Sequence, residues 1–315
     1  MNTIVREHRW IIAEPPDPLV VAQLSKEINV PEPIAKILVF RGITDYDKAK
    51  AYFRPTLSLL HDPFLLHGMD AAVPRILGAI EKKEKIRVFG DYDVDGTNGA
   101  SMLYLFLKEF GADVSYYVPD RIKEGYGISR IGLDRASHEG ATLFISVDCG
   151  ITAVEQVEYA RSLGLDVIIC DHHEPGNTLP NAYAVLDPIK AGDRYPFKHL
   201  SGCGVGFKLI HALAVKQKKE ENLASYLDFV ALATTADIVP LTGENRVLVK
   251  MGLEVINTSP RPGVRALVEK AGARLGQITT GQIVFALAPR INAVGRLGDA
   301  MRAVQLLTSA DPAEA

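Results

Sequence analysis

Five short apolar runs, separated by segments with helical spacing, restrict the fold of this chain more than any other feature. The runs are rich in β-branched and aromatic residues and cover Ile86–Gly90, Asp113–Val118, Thr142–Val147, Asp166–Cys170 and Ala182–Leu186. Helix candidates between them include Gly99–Phe110, Arg130–Glu139 and Ala153–Leu163. Strands that alternate with helices of this length predict right-handed βαβ units. The expected fold is α/β, with a parallel β-sheet that carries helices on both faces.

The segments on either side of this pattern are predicted to be mostly helical. Prolines interrupt the first part of the chain, and "PLVVAQLSKEI" and "PEPIAKILVFRG" each start at a proline, which suits a first helical turn. Residues 1–80 are therefore predicted to form a helical N-terminal arm and residues 81–240 the α/β domain. Residues 241–315 are predicted to be a helical extension that completes the core or leads into a further domain.

Composition places the chain among globular proteins of a reducing compartment. Its 315 residues are 47% hydrophobic, enough for a sizeable core, and its formal net charge is -3. That total excludes a uniformly basic protein but not a local basic groove beside an acidic site. The three cysteines, Cys149, Cys170 and Cys203, lack the spacing of a disulfide framework. Without an apolar run long enough for a bilayer or a secretory signal, we expect a cytoplasmic protein with no membrane partner.

The strongest single motif is "FGDYDVDGTNGAS", which follows the first predicted strand. Asp91, Asp93 and Asp95 alternate along it, so a tight turn directs their carboxylates toward one place, as hard divalent cations require. A calcium-binding EF-hand loop also begins in this way, but it needs a glutamate at its twelfth position, which here is Met102. A solvated acidic turn at the start of a helix remains the alternative for the motif alone.

Acidic and histidine residues also follow later elements of the predicted sheet. Asp148 comes directly after one strand, Asp171, His172 and His173 come after the next, and Asp237 ends an apolar helical run. Taken singly, such residues are commonly helix caps or surface pairs. The carboxyl ends of parallel strands meet in one crevice, however, and carboxylates gathered there would repel one another without a cation. The pattern therefore predicts a site for Mn²⁺ or Mg²⁺.

The motifs GDYDVDG, SVDCG, DHHEPG and TADIVP, in this order, resemble those of the DHH phosphoesterases. Three further segments, "PDRIKEGYGIS", "SGCGVGFKL" and "PRINAVGRLGDA", narrow the resemblance to the RecJ exonucleases. The resemblance extends from about residue 80 to about residue 310. It makes residues 81–240 a DHH-type catalytic domain.

The resemblance implies a role for each acidic or histidine residue of these motifs. Metal-binding roles fall on Asp91, Asp93, Asp95, Asp148, His172 and Asp237, and Asp148 would bridge two metals. His173 would lie nearer the substrate phosphate, and Asp171 would orient the histidine pair. The chain departs from the family pattern at Phe89, where some members have a metal-binding histidine. Asp91 or water would then replace that ligand.

Three groups of residues are predicted to contact the nucleic acid. Ser201, Gly202 and Gly204 open a helix whose amides hold a phosphate or, as the alternative, pack closely against the sheet. Arg290, Asn292 and Arg296 resemble phosphate contacts, and a salt-bridged surface loop is the alternative for the arginines. Arg121 and Tyr126 would line the path of the strand, with Tyr126 stacking on a base.

The resemblance implies a metal-dependent 5′–3′ exonuclease that hydrolyses single-stranded DNA by a two-metal mechanism in repair and recombination. It also implies a monomer whose candidate protein partners are a single-stranded-DNA-binding protein and a helicase. Because family members are longer, the chain is expected to be the catalytic core of such an enzyme. Two alternatives stay open: a phosphodiesterase for short oligonucleotides or cyclic dinucleotides, and a non-catalytic repair scaffold.

Overall fold

The structure is a computed structural model that describes residues 11–296 and 300–315. The first ten residues of the predicted arm and residues 297–299 of the "PRINAVGRLGDA" segment lie outside the described residues. The chain divides into two compact units, one ending at Pro55 and one running from Thr56 to Ala315. The predicted end of the N-terminal arm, at residue 80, lies later in the chain than this division. The predicted domain boundaries therefore remain predictions.

The described part of the first unit, from residue 11 onward, contains three helices, and their bounds follow the prolines and acidic caps of the sequence. They are α1 (Pro18–Glu27), α2 (Glu32–Phe40) and α3 (Tyr46–Phe53). The side chains of Asp17 and Asp45 accept hydrogen bonds from the first turns of α1 and α3, which is the usual role of an aspartate N-cap. The helices enclose a small apolar core of their own: Val21, Leu24, Ala35, Leu38, Ile43 and Ala49. Helices are thus confirmed where the sequence predicted them in this part of the chain.

The second unit is built on a five-stranded parallel sheet. The strands are β1 (Lys85–Gly90), β2 (Asp113–Tyr117), β3 (Ala141–Val147), β4 (Asp166–Cys170) and β5 (Ala184–Leu186). Their order across the sheet is β2-β1-β3-β4-β5, and every neighbouring pair is parallel. The chain moves outward from β1 to β2 and then returns to β3 on the other side of β1. The order therefore reverses between β1 and β3, where open α/β sheets bind their ligands.

Helices cover both faces of this sheet, as the sequence predicted. The preceding helix is α4 (Met69–Glu81), and α5 (Val94–Glu109), α6 (Arg130–His138), α7 (Val154–Ser162) and α8 (Gly202–Gln217) follow in turn. The largest core cluster joins one sheet face to α4, α5 and α8 through buried residues such as Val88, Val147 and Leu103. Phe89 and Phe144 belong to a second cluster, with α6 and α7 on the opposite face.

The helix after β1 begins earlier than predicted, at Val94 rather than Gly99. Asp93 is its N-cap and accepts a hydrogen bond from the Gly96 amide at 3.0 Å, so the aspartate motif itself forms the first turn. Two glycines allow this tight path. A Cβ on Gly90 would lie 2.3 Å from the Gly96 carbonyl oxygen, and one on Gly96 would lie 2.4 Å from the Asp91 nitrogen. Close packing here overrides the low helix propensity of glycine.

The rest of the second unit is helical. Short 3₁₀ turns cover Leu57–Leu59, Pro63–Leu65 and Leu223–Tyr226, and the helices are α9 (Leu227–Ala236), α10 (Gly243–Thr258) and α11 (Pro262–Lys270). A longer segment starts as α12 (Thr280–Gln282), passes through a π-helical turn at Ile283–Leu287 and continues as α13 (Ala288–Arg296). The final helix is α14 (Met301–Thr308). Within the described residues, no helix combines the length and apolar character needed to cross a membrane.

Candidate metal centre

The residue after each of three adjacent strands carries a carboxylate at the same edge of the sheet. Asp91 follows β1, Asp148 follows β3 and Asp171 follows β4. The Asp148 amide donates a hydrogen bond to the Cys170 carbonyl at 2.9 Å, so the ends of β3 and β4 stay aligned as they leave the sheet. Asp148 itself has a φ of 64°, a left-handed conformation that aspartate tolerates better than most residues. The predicted crevice therefore forms at these strand ends.

His172 lies at the middle of the acidic cluster. Its Nε2 atom is 3.1 Å from Asp148 Oδ1 and 3.7 Å from both Asp95 Oδ2 and Asp237 Oδ2. Three sets of side chains bring one potential ligand atom each within 4.8 Å of one another: Asp91, Asp93 and Asp148; Asp95, His172 and Asp237; and Asp148, His172 and His173. Asp148 belongs to two of these sets, which is compatible with the metal-bridging role that the family resemblance implies for it.

Asp171 is held by hydrogen bonds that orient its neighbours. Its Oδ1 accepts from His173 Nδ1 at 2.7 Å and from the His172 amide at 2.8 Å, and its Oδ2 accepts from the Ile151 amide at 2.8 Å. Burial raises the pKa of Asp171, but the hydrogen bond and charge of His173, together with the hydrogen bonds from the Ile151 and His172 amides, lower that pKa overall. The same hydrogen bond raises the pKa of His173. Asp171 therefore has the contacts of a residue that orients the histidine pair.

The N-terminus of α8 holds Asp95 in place. The amides of Gly202 and Cys203 donate to its two carboxylate oxygens at 2.7 and 2.8 Å, and the Gly204 amide donates to the Ser201 hydroxyl at 3.1 Å. A Cβ on Gly202 would lie 2.6 Å from the Asp148 Cα. The amides predicted to hold a phosphate are thus engaged within the protein, which favours the close-packing alternative for Ser201, Gly202 and Gly204.

The electrostatics of the cluster fit a divalent cation. Burial, followed by the charge of Asp93, raises the pKa of Asp91 to about 7, and burial also raises the pKa of Asp95 to about 7. Burial and neighbouring carboxylates raise the pKa of Asp148 well above its ordinary value, and burial raises that of Asp237. Asp91 Oδ1 and Asp237 Oδ2 are buried without a hydrogen-bond partner among the described residues. Such oxygens are the ligands that Mg²⁺ and Mn²⁺ prefer.

Phe89 lies away from this cluster. Its ring is fully buried and packs against Phe144, with centroids 5.4 Å apart, and against Tyr117 at 5.9 Å. Because successive side chains of a strand point to opposite faces, Phe89 belongs to the sheet face covered by α6 and α7. Phe89, the position at which the family resemblance implied a histidine in some members, is a core residue in this chain, and Asp91 lies within one of the acidic sets.

Aromatic and basic side chains lie at the rim of the cluster. The Tyr126 hydroxyl is 3.3 Å from the Asp148 carbonyl oxygen and 3.3 Å from His173 Nε2. The Arg121 guanidinium lies over the ring of Tyr92, 4.9 Å from its centroid, and the rings of Tyr92 and Tyr126 meet edge to face at 6.4 Å. The structure thus brings Arg121 and Tyr126 to the metal centre. It adds Tyr92, which was not predicted to belong to the site.

The residues of α13 that were predicted to contact nucleic acid, Arg290, Asn292 and Arg296, have different surroundings. A Cβ on Gly295 would lie 3.1 Å from the Tyr92 carbonyl oxygen, so the end of α13 packs against the aspartate loop. Arg296 is exposed beside this contact, and Asn292 Oδ1 is buried without a partner among the residues described. Arg290 is exposed and donates to the Ala286 carbonyl at 2.6 Å, a bond within its own helical segment. Their predicted role with DNA stays a prediction.

One further buried carboxylate was not predicted. Asp187 follows β5 directly, is fully buried, and has an Oδ2 atom without a partner among the described residues. Burial raises the pKa of Asp187 to about 7. The charge of Asp171 also raises that pKa, and the charge of His172 lowers it. The rule that singled out Asp148 and Asp171, an acidic residue immediately after a strand, applies equally to "AVLDP" and would have identified it.

The chain is similar to known proteins in sequence and in fold. Residues 85–234 match the DHH family, N-terminal domain. The single-stranded-DNA-specific exonuclease RecJ of Bacillus subtilis (strain 168) is 41% identical over 307 residues, which are 98% of this chain and 38% of that protein. The structure of RecJ from Thermus thermophilus in complex with Mn²⁺ matches with a TM-score of 0.82 and 33% identity, covering 97% of this chain and 43% of that one. Its complex with Mg²⁺ gives a TM-score of 0.74 and 31% identity, covering 97% and 40%.

The matched relatives are longer than this chain. The chain spans 38% of the Bacillus subtilis RecJ, 44% of the Escherichia coli RecJ and 51% of the Dickeya dadantii RecJ. The similarity therefore relates this chain to roughly one half of each relative or less.

Proposed function

The chain belongs to the DHH family, and from that premise we propose that it is the metal-dependent phosphodiesterase core of a single-stranded-DNA-specific 5′–3′ exonuclease that acts in DNA repair and recombination. The observation that supports this proposal most directly is the meeting of two acidic sets at His172 and Asp148. A cluster of buried carboxylates with raised pKa values gives a protein no advantage as a scaffold, because the charges repel one another. It is useful when a cation binds there.

Two groups of potential donor atoms support the proposed metal ligands. Asp91, Asp93 and Asp148 would hold one cation, and Asp95, His172 and Asp237 would hold another near the shared Asp148. RecJ structures contain Mn²⁺ and Mg²⁺, and we propose the same two ions for this site. When bound, such ions polarise a phosphoryl oxygen and make water a better nucleophile near neutral pH.

The side chains of this chain supply positioning and charge. The amides of Gly202 and Cys203 fix the Asp95 carboxylate, so its orientation is set before any ligand arrives. Asp171 fixes the ring of His173 and raises its pKa, which favours a positive charge on the imidazole beside the place where a phosphate would bind. The Tyr126 hydroxyl lies 3.3 Å from His173 Nε2 and thus also helps to position this ring.

The rim of the site has the chemistry of a single-strand channel. Aromatic rings accept stacked bases of any sequence, and an arginine guanidinium pairs with backbone phosphates. Tyr126, Arg121 and Arg296 are exposed beside the metal centre and would contact the strand. A duplex does not present its bases in this way, so the arrangement supports a single-stranded substrate.

The cellular setting follows from the same proposal. The three cysteines are free and buried, which suits a reducing compartment such as the cytoplasm. An enzyme that degrades single strands needs them to be exposed and delivered, so we propose that a helicase and a single-stranded-DNA-binding protein act beside it. We propose a monomer as the working form.

The test is hydrolysis of 5′- and 3′-labelled single-stranded DNA by the purified chain, with Mn²⁺, with Mg²⁺ and with chelator. Asp93→Asn removes a ligand charge, and Asp70→Asn removes an exposed carboxylate of α4 as the matched control. We expect shortening from the 5′ end with metal, lost in Asp93→Asn and kept in Asp70→Asn. Duplex DNA and a cyclic dinucleotide serve as competing substrates.

Three results would overturn the proposal in different ways. Preferred hydrolysis of the cyclic dinucleotide would indicate a small-substrate phosphodiesterase. Single-strand binding with no metal binding, measured by calorimetry, would indicate a scaffold. Metal-dependent shortening from the 3′ end would reject the proposed polarity.

A further inference from the structure

Ile238 has a backbone conformation that its side chain disfavours. Its φ is 62°, in the left-handed region, where a β-branched residue is a genuine outlier. Four other non-glycine residues with positive φ are described, Asn29, Lys83, Asp148 and Lys218, and none of them is β-branched. The conformation itself is ordinary, because Ile238 occupies the position after the C-cap of α9, where helices often end in a left-handed residue. What is unusual is that isoleucine, rather than glycine, fills it.

Packing within the chain does not account for this choice. The Ile238 side chain is 79% exposed, so it contributes little to the core. A glycine at this position would end α9 without the clash of a Cβ. Strain that brings no packing in return is a reason to look for a functional contact, since residues held in sparsely populated conformations concentrate at ligand sites.

Ile238 is next to the metal centre along the chain. It follows Asp237, whose Oδ2 lies 3.7 Å from His172 Nε2, and consecutive Cα atoms are only ~3.8 Å apart. Ile238 therefore lies one residue along the chain from a member of the metal centre, and its apolar side chain is exposed. Tyr126, on a separate loop, is another exposed apolar group beside the same centre and is 57% exposed. A nucleotide with its phosphate at the metal centre has only its sugar and base to offer to an apolar rim.

We propose that Ile238 is a substrate-contacting residue that packs against the nucleoside whose phosphate occupies the metal centre. This inference rests on the proposed function and adds to it a specific apolar contact. The contact involves no hydrogen bond to a base edge, so it holds any nucleotide regardless of sequence. Strain at Ile238 in the free protein is offset only when the nucleoside covers its side chain.

A matched pair of glycine substitutions tests the proposal in the full chain. Ile238→Gly removes both the strain and the side chain. Lys83→Gly does the same at the equivalent position after α4, where φ is 56°, just before β1 begins at the opposite edge of the sheet. The measurements are the thermal midpoint with chelator, Mn²⁺ affinity by calorimetry, and steady-state hydrolysis of a single-stranded oligonucleotide.

We expect both variants to have an unchanged or higher thermal midpoint and wild-type Mn²⁺ affinity. Ile238→Gly should raise KM for the oligonucleotide roughly five- to tenfold, with kcat within about twofold, because an apolar contact made on binding is lost. Lys83→Gly should leave both kinetic constants unchanged. Ile238→Ala, which keeps a Cβ, should fall between Ile238→Gly and the wild type.

Two outcomes would overturn the inference. A lower midpoint in Ile238→Gly would show that the side chain packs within the protein, and a KM equal to that of Lys83→Gly would show that it does not touch the substrate. Failure of the wild-type chain to hydrolyse the oligonucleotide would instead reject the proposed function, so the two failures are distinguishable.

Discussion

The second unit buries charge in two places that differ in how the charges are matched. In the metal centre, Asp91, Asp95 and Asp148 are buried together with raised pKa values, and buried carboxylate oxygens lack partners among the described residues. The second place is an ion pair between α8 and α10: Lys208 and Glu244 are both buried, with an N–O distance of 2.6 Å. There, Glu244 Oε1 also accepts from the His61 amide at 2.8 Å, and its Oε2 accepts from the Tyr195 hydroxyl at 2.6 Å.

The difference separates charges that hold the fold from charges kept for a ligand. Both oxygens of the Glu244 carboxylate are used, and Lys208 also donates to the His61 carbonyl at 2.9 Å. The pair therefore joins four segments of the second unit. Burial lowers the pKa of Lys208, although Glu244 opposes that shift. In the metal centre, by contrast, the carboxylates face one another. A buried group whose partner is missing within the protein indicates where a cation binds.

The largest effect is expected when the shared carboxylate is removed. Asp148→Asn keeps a residue that tolerates positive φ, so the loop conformation is preserved. We expect hydrolysis of single-stranded DNA to fall by ~10³-fold or more, since a ligand common to two sets is lost. The metal-free variant should unfold at the same or a higher urea concentration than the wild type, because one buried like charge is gone. Lower metal-free stability together with full activity would contradict the contrast between the two regions.

The next effect is a loss of stability when the buried ion pair of Lys208 and Glu244 is broken. Glu244→Ala leaves the Lys208 ammonium buried without its counter-charge, and the His61 amide and Tyr195 hydroxyl lose their acceptor. We expect a loss of about 3–5 kcal/mol in the free energy of unfolding, measured by urea denaturation with chelator. The double variant Lys208→Met with Glu244→Gln removes both charges but keeps a hydrogen-bond acceptor, and it should recover at least half of that loss. A double variant as unstable as the single one would show that charge matching is not what this region contributes.

The stability of the metal-free chain should depend on pH, because carboxylates of the metal centre have raised pKa values in the folded state. Asp91 and Asp95 have pKa values of about 7 in the folded chain, above their ordinary value of 3.8. The folded chain therefore binds more protons than the unfolded chain between pH ~4 and ~7. The resulting stability is present at the acid end and is lost as the pH rises through about 7.

We expect the free energy of unfolding with chelator to fall between pH ~4 and ~7 by up to roughly 1.4 kcal/mol per pH unit for each extra proton that the folded chain binds, and to level off above pH ~7. Saturating Mn²⁺ should flatten this dependence, because the cation replaces the protons. A wild-type slope unchanged by Mn²⁺ would place the titrating groups outside the metal centre, with Asp187 the first candidate because its pKa is also about 7.

The smallest effect is expected at the rim, where Tyr92 carries the Arg121 guanidinium on its ring. Tyr92→Leu removes the ring face, and a cation–π contact at an exposed site contributes ~0.5–1 kcal/mol. We expect KM for single-stranded DNA to rise roughly two- to fivefold with kcat retained. Tyr92→Phe keeps the ring and should restore the wild-type KM. Equal defects in both variants would mean that the hydroxyl, not the ring, is required.

Much of the fold could be predicted because its signals are local. The runs of β-branched and apolar residues from Ile86 to Leu186 predicted all five strands, and their alternation with helices predicted the parallel sheet. The predicted start of α5 was wrong by five residues, because the aspartate motif was interpreted as a tight turn ahead of the helix. Gly96 and Gly99 both lie in the first turns of α5. Their lack of a Cβ serves close packing: a Cβ on Gly99 would lie 2.4 Å from a methyl group of Val147. Local propensity cannot report a contact with a strand so far along the chain.

The sequence by itself predicted that the acidic residues after β1, β3 and β4 would come together, because parallel strands end at one edge and the residues that follow them meet there. It could not determine how each residue is used. Only the tertiary structure showed that the α8 amides bind Asp95 rather than standing free for a phosphate, and that Asp171 faces His173. It alone revealed the strain at Ile238. Hydrogen-bond partners and backbone angles depend on segments that approach only after folding, so no pattern along the chain encodes them directly.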